Sequence, residues 1–227
     1  MSELVFPAPV QPALPVLGTS ALFPVRRILC VGRNYAAHRR EMGGDDREPP
    51  FFFAKPADAA VPGGADVAYP SVTANLHHEI ELVAALGGGG ADITPADALS
   101  LVFGYAAGVD LTRRDLQNAA KDKGQPWDAS KSFDQSAPIG VIRPAGGEAP
   151  PQGRIVLSVN GQVRQDARLS DMIWSLAEVI AQASRLWRLA PGDLIFTGTP
   201  EGVGPLVRGD RVDGEIEAVG SVGFRIV

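Results

Sequence analysis

From Gly192 to Gly223 a glycine returns every two to six residues, at Gly198, Gly202, Gly204, Gly209, Gly214 and Gly220, between short β-rich runs. Glycine inside a strand marks a bulge, a tight bend or a close backbone approach, so this tail reads as a rolled, strongly bent sheet. Upstream, short strand candidates alternate with Gly/Pro turns: Arg27 to Val31, Phe51 to Ala54, Ile80 to Leu86, Phe103 to Val109, Ile155 to Val159 and Leu194 to Thr197, with Phe224 to Val227 closing the chain. Asn160-Gly161 between two β-rich runs is the signal of a type I′ hairpin turn. One convincing helix is expected from about Asp171 to Trp187, where Met172, Ile173, Leu176, Val179, Ile180, Ala183 and Leu186 share a face, with Ser170 as N-cap. The expected class is α+β, predominantly a mixed, rolled β-sheet with one long and a few short helices.

The chain has 227 residues, 45% of them apolar, which is enough for a full core and defaults to one domain. A net charge of −5 without a dense Lys/Arg block argues against nucleic acid and against an anionic membrane surface. No stretch approaches the roughly 20 apolar residues of a membrane span. The single cysteine, Cys30, reads as a small buried residue of a strand and fits a reducing cytoplasm. Residues 1–24, with Pro7, Pro9, Pro12 and Pro15, read as an extended arm outside the core, and 25–227 as the domain proper. A charged segment with Gly43-Gly44, about 34–49, has the composition of a surface loop or a lid.

The chemistry concentrates in His77-His78-Glu79-Ile80-Glu81-Leu82. On a strand, the period of two puts Glu79 and Glu81 on one face and turns Ile80 and Leu82 into the core. Two carboxylates aimed at one spot repel unless a cation or protons lie between them, although an isolated Glu-x-Glu is more often a solvated strand face. Asp110 adds a third acid at the end of the apolar run Gly104 to Val109, where a carboxylate is costly without a partner; Arg113 or Arg114 would serve as that partner. Three oxygen ligands without sulfur suit a hard cation, Mg2+, or Mn2+ or Ca2+.

After about Phe23 the sequence resembles the fumarylacetoacetate hydrolase family. The matching pieces are Gly32-Arg33-Asn34-Tyr35 with His38 and Glu41, Phe53-Ala54-Lys55-Pro56, His77 through Leu82, and Gly108 through Gln117. Lys121 to Trp127, Lys131-Ser132-Phe133, and Gly192 through Pro200 followed by Gly202-Val203-Gly204 continue the match in order. Within the family the chain is most similar to the short acylpyruvases and fumarylpyruvate hydrolases. The resemblance implies a rolled mixed β domain, usually a homodimer, with a metal held by Glu79, Glu81 and Asp110. It also implies that Lys131 reaches the substrate, that Gln117 and Thr199 bind its oxygens, and that His38 and Glu41 form a lid dyad. At i, i+3 on a helix the two face the same way, so Glu41 can polarise His38 as a general base.

The activity implied is hydrolysis of a 2,4-diketo acid, most naturally fumarylpyruvate to fumarate and pyruvate, by a water that His38 deprotonates for attack at the distal carbonyl, with Lys131 and Gln117 stabilising the developing oxyanion. The same acidic cage would equally serve an isomerase or decarboxylase of unsaturated oxo-diacids or an oxaloacetate decarboxylase. A non-enzymatic alternative is a structural calcium site pinning a binding module. Arg33, Arg40, Lys55 and Arg113 are the candidates for meeting a distal carboxylate, and Arg33 equally suits pinning the base of the lid.

Overall fold

The structure, a computed structural model, describes residues 4–35 and 48–227. Its first strands are β1 (Ala13–Pro15), β2 (Leu22–Pro24), β3 (Arg27–Gly32), β4 (Phe51–Lys55), β5 (Ala60–Pro62), β6 (Leu76–His78), β7 (Ile80–Leu86), β8 (Val102–Val109) and β9 (Thr112–Arg113). They are followed by β10 (Ala137–Ile139), β11 (Arg143–Pro144), β12 (Arg154–Val159), β13 (Gln162–Arg168), β14 (Asp193–Phe196), β15 (Gly204–Leu206), β16 (Arg211–Ile216) and β17 (Gly220–Arg225). The helices are α1 (Pro95–Ala98), α2 (Arg114–Asp122), α3 (Asp128–Lys131) and α4 (Leu176–Leu186).

The central sheet runs β4-β3-β14-β7-β8-β10-β5, with β11 on β8. It is mixed, since β14 is parallel to β3 and antiparallel to β7. A second sheet, β13-β12-β16-β17, and a small one, β15-β6-β9, complete the roll. The expected α+β class with a rolled mixed sheet is what forms.

The period of two sorts the central strands onto two cores. Leu29, Val31, Leu82, Ala84, Tyr105, Ala107 and Ile195 face a large core shared with α4 and the second sheet. Ile28, Cys30, Val83, Ala85, Ala106, Leu194 and Phe196 face a smaller core on the other side. That smaller core corrects the reading of residues 1–24 as lying outside the core, because Leu14, Val16 and Phe23 are buried in it. A β1–β2 hairpin places them there, and Ile142 N–H donates to Pro15 C=O at 2.9 Å. Proline punctuation hid this, since three-residue strands are too short to show a period.

The hairpin between β12 and β13 forms as expected, with Asn160 at φ 52° and Gly161 at φ 76°. The helix boundary needs correction. Instead of starting at Asp171 under a Ser170 cap, α4 begins at Leu176, where Ser175 Oγ accepts from Glu178 N–H while the Glu178 carboxylate accepts from Ser175 N–H. Upstream, Asn34 withdraws the chain from the helix: its C=O accepts from Ile173 N–H, its side-chain oxygen from Trp174 N–H, and its amide donates to Trp174 C=O. Three hydrogen bonds to one long-range partner thus outcompete a local periodicity. Among the described residues no helix is long and apolar enough to cross a membrane.

Candidate active site

Glu79 sits between β6 and β7, and Glu81 is the second residue of β7, directly opposite Gly108 of β8. A side chain at Gly108 would meet Val83 Cγ2 at 2.6 Å and the Phe196 ring, so the two strands close tightly beneath Glu81. Asp110 follows β8, and its N–H donates to Glu79 C=O at 2.8 Å. The sheet register therefore brings the three acids together. All three are buried, and one oxygen from each lies within 4.8 Å of the others.

Three cations converge on them. The one-turn helix α3 delivers Lys131, whose ammonium donates to Glu79 Oε2 at 2.7 Å, Asp110 Oδ2 at 2.6 Å and Thr112 Oγ1 at 2.6 Å. Arg114, at the start of α2, bonds Glu79 Oε1 and donates to Gln117 Oε1 at 2.5 Å. That leaves the NH2 end of Gln117 as the donor facing the cleft. Lys55 lies behind Asp110, 2.8 Å from its Oδ1, and donates to the carbonyls of Leu111 and Lys131. Lys55 is fully buried beside Asp110 and Lys131 and does not line the cleft, whereas the sequence offers it as a substrate-binding residue. Arg113 also faces away, with its guanidinium over the Phe133 ring and donating to Ala129 C=O. The partner of Asp110 is thus a pair of lysines, and neither arginine serves it.

The charge states separate the acids. Burial works against ionisation of Glu79, but Lys131 and Arg114 outweigh it and hold the carboxyl well below its usual range. Burial, then Asp110 and Glu79, push Glu81 well above its usual range, with only Lys131 and the N–H of Gly198, at 2.7 Å, opposing them. Burial also disfavours the Lys131 ammonium, yet Asp110 and Glu79 keep its pKa raised. The buried Asp110 Oδ1 has the Lys55 charge beside it without an aligned hydrogen bond. Lone pairs on Glu81 therefore remain for a cation, close to oxygens of Glu79 and Asp110, and an all-oxygen set suits a hard divalent one. The residues present fit such an ion.

Surrounding groups hold this geometry. His77, pushed down to about 4 by burial and by Arg114, is neutral, and its Nδ1 accepts from Arg114 Nε at 3.4 Å. Gln165 accepts from Ile80 N–H, contacts His78 Nδ1 at 3.0 Å and donates to Thr199 Oγ1. Thr199 in turn donates to Ile80 C=O at 2.8 Å, so its hydroxyl is engaged by the protein, and the residue shapes the cleft wall.

The cleft above the acids has Arg33, Phe51, Phe53, Lys121 and Trp127 as its outer wall. Arg33 adopts φ 57°, uncommon for a side-chain-bearing residue, and its guanidinium lies over the Phe51 ring at 5.8 Å. In the sequence Lys121 and Trp127 stand only within a motif of the family, and no role follows for them there. The signal was available: Arg114, Gln117 and Lys121 stand at i, i+3 and i+7, one face of a helix. His38, Glu41 and Arg40 lie outside the described residues.

Comparison with known proteins gives these features a context. The sequence model for the fumarylacetoacetate (FAA) hydrolase C-terminal region matches residues 27–227. The chain is 45% identical over 179 residues to the fumarylpyruvate hydrolase of a Ralstonia species, covering 79% of this chain and 93% of that protein. It is 42% identical over 202 residues to the mitochondrial oxaloacetate tautomerase of Mus musculus, covering 88% and 91%. Its structure matches that of the fumarylpyruvate hydrolase of Pseudomonas aeruginosa, determined in complex with Mn2+ and pyruvate, with a TM-score of 0.96 and 51% identity over 99% of each chain.

Proposed function

This chain belongs to the fumarylacetoacetate hydrolase family, and from that premise we propose that it hydrolyses the carbon–carbon bond of a 2,4-diketo acid, with fumarylpyruvate, split into fumarate and pyruvate, as the substrate. The observation that carries this reading is the buried Glu79–Glu81–Asp110 cluster with the Lys131 ammonium between two of its members. Glu79, Glu81 and Asp110 would hold a divalent cation, Mg2+ or Mn2+, which would supply electrophilic pull on the substrate's oxygens. The chain's own groups do the rest. His38, which the family resemblance pairs with Glu41, would take a proton from the water that attacks the carbonyl distal to the carboxylate. The NH2 of Gln117 faces the negative charge that develops on that carbonyl oxygen, where one such donor is worth about 3 kcal/mol of barrier, and the Lys131 ammonium, its N–H groups held by Glu79, Asp110 and Thr112, adds positive charge beside it. Lys55 and Ser136, both donating to the Lys131 C=O, hold the lysine in place before the reaction begins. Collapse breaks the carbon–carbon bond, leaving fumarate and the enolate of pyruvate, which takes up a proton.

A second reading, proton transfer without cleavage in a shorter oxo-diacid, draws support from the likeness to the oxaloacetate tautomerase. The two are separated by following the ultraviolet absorbance of fumarylpyruvate and acetylpyruvate, with Mn2+ or Mg2+ and with EDTA, for the native protein and His38→Ala. Metal-dependent loss that releases pyruvate and collapses in the variant supports hydrolysis. Absence of pyruvate from both compounds, together with enol–keto interconversion of oxaloacetate, moves the tautomerase reading to the front.

A further inference from the structure

The inner and outer ends of the cleft are charged differently. Glu79 and Asp110 pair with Lys55, Arg114 and Lys131, while Glu81 takes only the N–H of Gly198, so three positive groups stand against at most three negative ones and a divalent ion would make that end net positive. Arg33 and Lys121 at the outer wall add two more cations. Among the described residues neither forms an ion pair with a carboxylate, and Arg33 Nε is buried without a hydrogen-bond partner. Each rests instead against an aromatic ring, Arg33 on Phe51 and Lys121 on Trp127 with Nζ 5.2 Å from the centroid. The two rings meet edge to face at 5.1 Å, so the cations are carried on one stiff wall.

The position of Lys121 sets a length. Arg114, Gln117 and Lys121 form one face of α2, with Arg114 on Glu79 at the inner end. Seven residues of helix place Lys121 about 10 Å farther along the axis. A four-carbon oxo-diacid held at the acidic cluster stops short of it, whereas an acylpyruvate whose acyl arm itself ends in a carboxylate extends toward it. Of the four basic residues the sequence offered for a distal carboxylate, Lys55 and Arg113 face elsewhere, Arg40 lies outside the described residues, and Arg33 lines the cleft.

We propose that Lys121 is a specificity-determining residue, its ammonium seating the distal carboxylate of a long diacid beside Arg33, so that the enzyme prefers acylpyruvates whose acyl group ends in a carboxylate. The inference rests on the hydrolase reading for the identity of the substrate. Burial, then Arg114 and Arg33, lower the Lys121 pKa to about 8, so an anion placed there relieves repulsion among the cations already present.

The test compares native protein, Lys121→Met and Lys121→Arg, loaded with Mn2+, for kcat and KM on fumarylpyruvate and acetylpyruvate, and for equilibrium binding of fumarate. The expected result is that the fumarylpyruvate-to-acetylpyruvate ratio of kcat/KM falls on the order of 10- to 100-fold in Lys121→Met, mostly through KM, and is largely restored in Lys121→Arg. A ratio unchanged in Lys121→Met, with both compounds still cleaved, overturns the inference and leaves the hydrolase reading standing. Should the native protein cleave neither compound, the hydrolase reading fails and fumarate binding decides: weaker binding by Lys121→Met upholds the carboxylate seat, and equal binding overturns it.

Discussion

The two ends of the cleft are built in opposite ways. At the inner end Glu79 and Asp110 each meet cations at 2.8 Å or less and Glu81 takes the Gly198 N–H, and the residues come from the register of β7 and β8 and from one turn of helix, α3. At the outer end two cations lie on aromatic faces, 5.2 and 5.8 Å from the ring centroids. Buried, mutually satisfied charges lock a geometry because removing one strands another. Cations resting on rings are weakly held and wait for an anion. On the proposed reading the inner end serves the chemistry and the outer end the choice among substrates.

The sharpest way to break this division is Lys131→Met. It should lower kcat by about 10² to 10³, with circular dichroism reporting an intact fold; turnover within threefold of native would mean that the inner end does not work electrostatically. Next comes stability. Lys55→Met strips Asp110 Oδ1 of its neighbouring charge and should cost about 3 kcal/mol in urea unfolding, whereas Lys121→Met should stay within about 0.5 kcal/mol of native. Equal losses at the two positions would erase the distinction.

A smaller effect is expected in pH. Lys121 faces Arg114, Arg33, Glu79 and Lys131 as well as the Trp127 ring, and its pKa is lowered to about 8. The protonated form holds the anion, so kcat/KM for fumarylpyruvate should be full below that value and fall as pH rises through it, about tenfold per unit at the limit. Lys121→Arg, which keeps its charge, should lose this limb; a limb that persists at the same pH belongs to another group. Smallest of all, Ser175→Ala removes the cap of α4 and should cost about 1 kcal/mol in thermal or urea unfolding while shifting neither substrate preference nor the pH limb. A shift in either would show that the cleft depends on α4.

What could be read from the chain divides along similar lines. The strand of Glu81, the turn at Asn160-Gly161 and the convergence of three acids followed from a period of two and from turn chemistry, both of which act over a few residues. The true start of α4 did not, because Asn34, 140 residues away from Trp174, decides it. Nor did the burial of Lys55: in the motif Phe53-Ala54-Lys55-Pro56 a lysine looks available, and only the antiparallel pairing of β4 on β3 sends it under Asp110. Lys121 was visible as part of a helix face, but a face acquires meaning only when Phe51 and Trp127 show which side the cleft lies on.

The place of β14 carries a consequence for how the molecule comes into being. It fills the middle of the central sheet, with Asp193 gripped by Arg26 and Arg27 from 167 and 166 residues earlier in the chain. Until residues 193–196 leave the ribosome, β3 and β7 each present an unpaired edge, and at 5 to 20 residues per second that interval is on the order of ten seconds or more. Throughout it the apolar strands that will line both cores are exposed to neighbouring chains. Chaperone occupancy should therefore peak late in translation and drop once β14 is inserted, which is also the moment at which Glu81 gains the N–H of Gly198 and the cleft acquires its floor.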